Sequence, residues 1–207
     1  MEVTYLKRNI IIIGPSRAGK TTLAKKLNVE LNYSVIGTDD LVIAFEEGMP
    51  RSGIGKPNAY ETSVANITSF LVAYVNALAW RSNYYNGTKY AFEGGYFDKL
   101  VPIWETPGNE PYKDYWKTQY LIIGLVYHNQ TPEQLFEAIR KHDVKDDWTS
   151  RRSNDELRSH AISSIEYSRY LYEKFQEYNL VIYDVSNNRE QVLDKIVSDI
   201  KVEFGMA

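Results

Sequence analysis

The residues best placed to do chemistry lie in one short run, Gly14-Pro15-Ser16-Arg17-Ala18-Gly19-Lys20-Thr21-Thr22. Two glycines five apart let a backbone turn tightly and approach a polyphosphate with no Cβ in the way, so that successive N–H groups face the anion. A lysine directly after the second glycine reaches β- and γ-phosphates, and the next hydroxyl, Thr21, is a ligand for Mg²⁺. Carboxylates that could complete such a site are Asp39 and Asp40, in Thr38-Asp39-Asp40, and Glu93, in Glu93-Gly94-Gly95. Asp39 and Asp40 could equally cap a helix that begins there.

The elements that must position these groups are legible around them. Ile10 to Ile13 form a buried strand that runs straight into the glycine loop, and Leu23, Ala24 and Leu27 give the apolar stripe of a following helix. A second strand spans 33–37, and a loop from Glu46 to Pro57 follows. A helical stripe then runs from 61 to about 82, closed by Gly87. The third strand is expected at 89–93, an irregular aromatic segment at 96–120, the fourth strand at 121–127 and the fifth at 180–184. Thr131-Pro-Glu-Gln134 and Ser153-Asn-Asp-Glu156 each read as a capping box that opens a helix, and a last helix begins near Asn188. Short apolar strands alternating with helices predict an α/β fold with a five-stranded parallel sheet covered on both faces. Ligands in such sheets bind beyond the carboxyl ends of the strands, so the glycine loop, Thr38–Asp40, Glu93–Gly95, the segment after Tyr127 and Asp184–Asn188 should meet in one cleft.

Bulk properties restrict the function classes. At 207 residues the chain suits one domain, 1–207, with a sizeable core. A net charge of −3 gives no support to long-range attraction of nucleic acid or anionic membrane. The absence of cysteine excludes disulfides, thiolate metal sites and a cysteine nucleophile. With no apolar run of membrane-spanning length and no signal-like start, a cytoplasmic protein is expected. His128, His142 and His160 have no ligand spacing and read as surface residues. Seventeen tyrosines, eight of them clustered at Tyr84, Tyr85, Tyr90, Tyr96, Tyr112, Tyr115, Tyr120 and Tyr127, fit an aromatic pocket or an ordinary half-buried surface.

The order of these motifs resembles the small P-loop kinases, the group that includes adenylate kinase, shikimate kinase, chloramphenicol phosphotransferase, the zeta toxins and polynucleotide kinase. The resemblance implies a three-layer α/β/α P-loop NTPase fold with a helical lid, and ATP and Mg²⁺ as cofactors. It assigns the loop residues and Lys20 to the phosphates, Thr21 and Glu93 to the metal, and Asp39 to the acceptor hydroxyl. It also implies a lid at about 140–156, whose Arg140, Arg151 and Arg152 would meet the transferring phosphoryl group, and an adenine-side loop at Asp184–Asn188 that includes Asn187. Trp148, within that lid, would pack against the base or the closed cleft.

The chain departs from the pattern in two places. Shikimate kinase-like chains have a further acidic residue where this one has Gly37, and nucleoside monophosphate kinases carry Asp-Gly-Phe-Pro-Arg where this one has Glu93-Gly-Gly-Tyr-Phe97. The expected activity is therefore transfer of the γ-phosphoryl group to a hydroxyl of a small molecule, nucleoside-like or otherwise ring-bearing, held by residues of about 41–88 and 95–118. The alternatives are a nucleotide kinase that grips its acceptor phosphate with Arg51, Lys56 or Arg81, and a nucleotide-binding switch or ATPase with no acceptor. A nucleic-acid acceptor is disfavoured by the charge, and monomer and homodimer both remain open.

Overall fold

The computed structural model describes residues 8–49, 61–104, 115–142 and 148–206. Four consecutive isoleucines with no polar interruption leave no face for water, and β1 (Asn9–Ile13) is buried along its whole length at the centre of the sheet. β3 (Tyr90–Glu93) and β4 (Tyr120–Val126) flank it, and β2 (Ser34–Gly37) and β5 (Val181–Asp184) are the edges, in the order β2-β3-β1-β4-β5. All four pairings are parallel; Ile12 lies opposite Glu93 on one side and Ile123 on the other. The five expected strands are present, displaced by a residue or so at their ends.

Alternation along β1 sorts the core into two layers. Ile10 and Ile12 pack with the apolar stripes of α1 (Lys20–Leu31), α6 (Pro132–Lys141) and α8 (Arg189–Glu203). Ile11 and Ile13 pack with Ile67, Leu71 and Val75 of α3 (Glu61–Arg81) and with Val42 of α2 (Thr38–Gly48). Helix α7 (Asn154–Glu177) belongs to both: Leu157, Ala161 and Ile165 join the first layer, Leu171 and Phe175 the second. Its middle therefore passes the sheet where the strands end, and the Ser168 hydroxyl accepts a hydrogen bond from the backbone N–H of Tyr127, just beyond β4.

Both expected capping boxes form. Thr131 and Gln134 bond reciprocally at the start of α6, as do Ser153 and Glu156 at the start of α7. Three expectations change. Helix α2 continues through Gly48, so Glu46–Gly48 are helical rather than loop, and Phe45 packs edge-on against Phe70 with ring centroids 4.6 Å apart. The segment after Tyr96 is more ordered than its prolines suggested, with a 3₁₀ turn at Phe97–Lys99 and short helices α4 (Leu100–Trp104) and α5 (Tyr115–Gln119). Pro102 sits in the first turn of α4, where no backbone N–H is missed. The tyrosine cluster does not form one lining: Tyr120 is in the core and Tyr84 is exposed. The expected loop cations Arg51 and Lys56, and residues 105–114 and 143–147 of the expected acceptor region and lid, lie outside the described residues.

Candidate active site

The loop after β1 turns because its residues take up backbone conformations that release the chain into α1. Gly19 has φ +93° and Arg17 φ +66°, both left-handed. A Cβ on Gly14 would lie 2.6 Å from the Leu125 carbonyl oxygen, so the close passage of the loop over β4 requires glycine there. Tyr127 fixes the loop from the neighbouring strand, its hydroxyl donating to the Ser16 carbonyl at 3.1 Å.

A cleft of about 600 Å³ opens over this loop at the carboxyl ends of β1, β2 and β3. It is lined by Gly14, Pro15, Ser16, Arg17, Gly19, Lys20, Thr21 and Thr22, joined by Asp39 and Glu93. Lys20 folds over the loop and donates to the Pro15 carbonyl at 2.9 Å. Burial pushes its pKa down, while the facing carboxylates of Glu93 and Asp39 work the other way. The Thr21 hydroxyl donates to Glu93 Oε1 at 3.0 Å. Burial raises the Glu93 pKa; Thr21 and Lys20 oppose this, and the negative charges of Asp39 and Asp40 add to it. Two carboxylates, Glu93 and Asp39, thus face one lysine, and the charge of Asp40 acts on Glu93.

Asp39 and Asp40 occupy the first turn of α2, but neither caps it; Gly37 holds the cap position and no side chain bonds there. Of the two readings open for Asp39, the capping one is not realised, and its carboxylate lines the cleft. Thr38 ties the start of α2 to β3, its hydroxyl donating to the Glu93 carbonyl at 3.3 Å. Gly94 permits that approach, since a Cβ there would sit 1.7 Å from Thr38 Oγ1.

The middle of α7 supplies the opposite wall with His160, Ser163, Ser164 and Tyr167. His160, expected at the surface, is half-buried in the cleft: its ring meets Trp148 edge-on at 4.8 Å, and Nε2 lies 3.4 Å from the Ser164 hydroxyl. Burial, with Arg17 and Arg152 nearby, lowers its pKa and favours the neutral imidazole. The spacing 160, 163, 164, 167 is a helical stripe of polar residues set between the apolar positions 157, 161 and 165. That stripe was the available sequence signal, and it becomes meaningful only once the two halves of α7 are known to pack into different layers of the core.

Among the described residues, Arg17 and Arg189 are the arginines that line the cleft. The Arg17 guanidinium lies 5.7 Å from the Trp148 ring centre and donates to the Thr149 hydroxyl. Arg189, in the first turn of α8, donates to the Arg17 carbonyl at 3.1 Å. The expected lid arginines are placed elsewhere. Arg152 pairs with Glu156 at 2.8 Å, Arg140 donates to Asn154 and to the Arg152 carbonyl, and neither they nor Arg151 line the cleft. Ala18 is buried beneath the loop.

A second cavity of about 510 Å³ adjoins the first and shares Arg17 and Arg189 with it. Ala138, Ile139, Val185 and Asn188 contribute apolar surface and backbone to it; Asn187 lines neither cavity. Asp184 organises the loop beside it by accepting from Asn129 Nδ2 at 2.6 Å and from the Ser186 N–H at 2.9 Å. No group of three or more metal-ligating side chains occurs among the described residues, His128, His142 and His160 included. No described helix is long and apolar enough to cross a membrane.

No family model matches this chain, and no curated protein matches it in sequence. Solved structures do match its fold. The shikimate kinase of Bacteroides thetaiotaomicron superposes with a TM-score of 0.52 at 18% identity, over 94% of this chain and 97% of that one. The shikimate kinase of Acinetobacter baumannii, solved in complex with shikimate, gives 0.53 at 15% identity over 97% of each chain. A gluconokinase of Sinorhizobium meliloti 1021 gives 0.52 at 14% identity, over 95% of this chain and 93% of that one. At these identities the likeness is one of fold, and the fold is that of the small P-loop kinases.

Proposed function

We propose that this protein is an ATP- and Mg²⁺-dependent phosphotransferase that moves a γ-phosphoryl group onto a hydroxyl of a small molecule. The observation that carries the reading is the convergence of Lys20, the Thr21–Glu93 pair and Asp39 in one cleft at the mouth of a phosphate-shaped loop.

The donor set fits a hard cation. Thr21 and Glu93 offer oxygen only, and the mutual repulsion of Glu93, Asp39 and Asp40 is the field a divalent ion relieves. Fewer than three protein ligands among the described residues suits Mg²⁺, which keeps several waters and shares phosphate oxygens. When bound, the ion neutralises charge on the β- and γ-phosphates.

The protein groups perform the rest. The loop amides and Lys20 hold the phosphates in line. Asp39 accepts the proton of the acceptor hydroxyl as its oxygen bonds to the γ-phosphorus and the bond to the β–γ bridging oxygen breaks, releasing ADP. Arg17 and Arg189 supply positive charge at the phosphate end, in the role expected of Arg151 and Arg152. The adjoining cavity takes the nucleoside of the donor. Tyr96, whose pKa burial and Asp39 raise, and Tyr167 bring aromatic surface to the acceptor end, which suits a ring-bearing acceptor.

The test is transfer of label from γ-labelled ATP with Mg²⁺ to a panel of nucleosides, nucleoside monophosphates, sugars, sugar acids and amino alcohols, with phosphate release followed in parallel. Transfer to one class establishes the activity and identifies the acceptor. Release without transfer favours an ATPase, and neither across the panel overturns the reading.

A further inference from the structure

At the opposite end of the sheet, where β1, β3 and β4 begin, lies a third cavity of about 470 Å³ lined by Arg8, Ser82, Asn83, Lys89, Thr118 and Gln119. It is remote from the phosphate loop, because parallel strands put their amino ends on the far side from their carboxyl ends. Its size is within the usual range for small-ligand sites.

Two features distinguish it from a water-filled crevice. Ser82 is fully buried at 0% exposure, yet its hydroxyl has no hydrogen-bond partner among the described residues. A helical serine ordinarily returns its hydroxyl to the carbonyl four residues back. Ser82 instead opens a π-helical turn, Ser82–Asn86, a geometry often associated with functional sites. Ser82 is one of the residues that line the cavity.

The second feature is the charge. Lys89 is half-buried and has no carboxylate partner among the described residues; its one bond is to Asn83 Oδ1 at 3.0 Å. Asn83 in turn donates to Gln119 Oε1, and Gln119 to the Thr118 hydroxyl at 3.2 Å. This chain of side chains holds the ammonium at the cavity while leaving its charge uncompensated. Burial accordingly lowers the Lys89 pKa, with no opposing carboxylate. The other cation, Arg8, is already balanced by Glu203 and donates to the Lys117 carbonyl at 3.0 Å, so its role is to frame the wall.

We propose that this cavity is a binding site for a small oxyanion-bearing metabolite, phosphate or carboxylate, whose oxygens accept from Lys89 Nζ and the Ser82 hydroxyl. The proposal is independent of the function assigned to the cleft.

The experiment follows side-chain amide resonances of Asn83 and Gln119 in the ¹⁵N-labelled full chain during titration with inorganic phosphate and, separately, with malonate. Saturable shifts of these resonances, distinct from any at the loop amides of residues 14–19, are expected with at least one anion, and the stronger of the two names the chemistry. Lys89→Met should weaken this binding about tenfold or more, and Ser82→Ala about fivefold. Lys89→Arg, which keeps the charge, should retain it and shows that the position tolerates change. Shifts confined to residues 14–19, or shifts at Asn83 and Gln119 that survive Lys89→Met undiminished, overturn the proposal.

Discussion

The Thr21 hydroxyl donates to Glu93 at 3.0 Å, joining the first turn of α1 to the end of β3 across 72 residues of chain. Glu93→Gln keeps the shape and the hydrogen bond with Thr21 and removes the charge. It should raise the Mg²⁺ concentration needed for half-maximal transfer by about 10- to 100-fold, with a smaller effect at saturating metal. A Mg²⁺ titration of initial rates checks this, and an unchanged requirement removes Glu93 from the metal site.

The same substitution has a stability consequence in the nucleotide-free protein. The Glu93 pKa is raised on folding, so the native state binds its proton more tightly than the unfolded chain does. Its ionised form therefore costs stability once pH rises above the ordinary carboxylate range. Glu93→Gln should unfold at higher urea than the parent near about pH 8, and the gap should close as pH falls to about 4. A gap that does not depend on pH would show that ionisation of Glu93 is not strained.

Asp39→Ala separates transfer from binding. If Asp39 orients and deprotonates the acceptor, turnover should fall by about 10²–10⁴-fold while ATP affinity changes little, because the phosphate-holding groups are untouched. Affinity by calorimetry and turnover by product formation, measured on one preparation, decide it. Equal losses in both would make Asp39 a structural or nucleotide-binding group.

Gly94→Ala should be tolerated poorly. A Cβ there collides with Thr38 Oγ1, and the backbone φ of +156° disfavours a side chain, so a loss of about 1–3 kcal/mol is expected in urea unfolding. The double variant Gly94→Ala with Thr38→Ala should recover part of that loss.

At the start of α7, the Ser153 backbone N–H and hydroxyl and the Arg152 guanidinium hold the Glu156 carboxyl down at about 2. A depressed carboxylate stabilises above its unfolded value, and the effect is lost as pH falls toward about 2. Glu156→Gln should lower stability at neutral pH and flatten the acid limb below about pH 4.5, so that variant and parent converge as pH falls toward about 2. Thermal melts across that range test it.

The sequence by itself determined what depends on neighbours along the chain. The buried run Ile10–Ile13, the glycine loop, the boxes at Thr131–Gln134 and Ser153–Glu156 and the alternation of strand with helix are local consequences of side-chain period, glycine freedom and capping. Residue order was enough to read them. Glu93 and Asp39 were legible because a parallel sheet sends every strand end to one side.

Tertiary packing decided the rest. Helix α7 serves both layers of the core, and this turns His160, Ser163, Ser164 and Tyr167 toward the cleft. No local property of α7 encodes that placement, because a polar stripe on one helix is equally compatible with solvent. Arg189 reached the site because α8 begins beside the Arg17 carbonyl, whereas Arg140 and Arg152 were drawn into bonds around the entry to α7. Which arginine of a charged segment faces an anion depends on the partners that compete for it, and those partners are assembled only when distant segments pack.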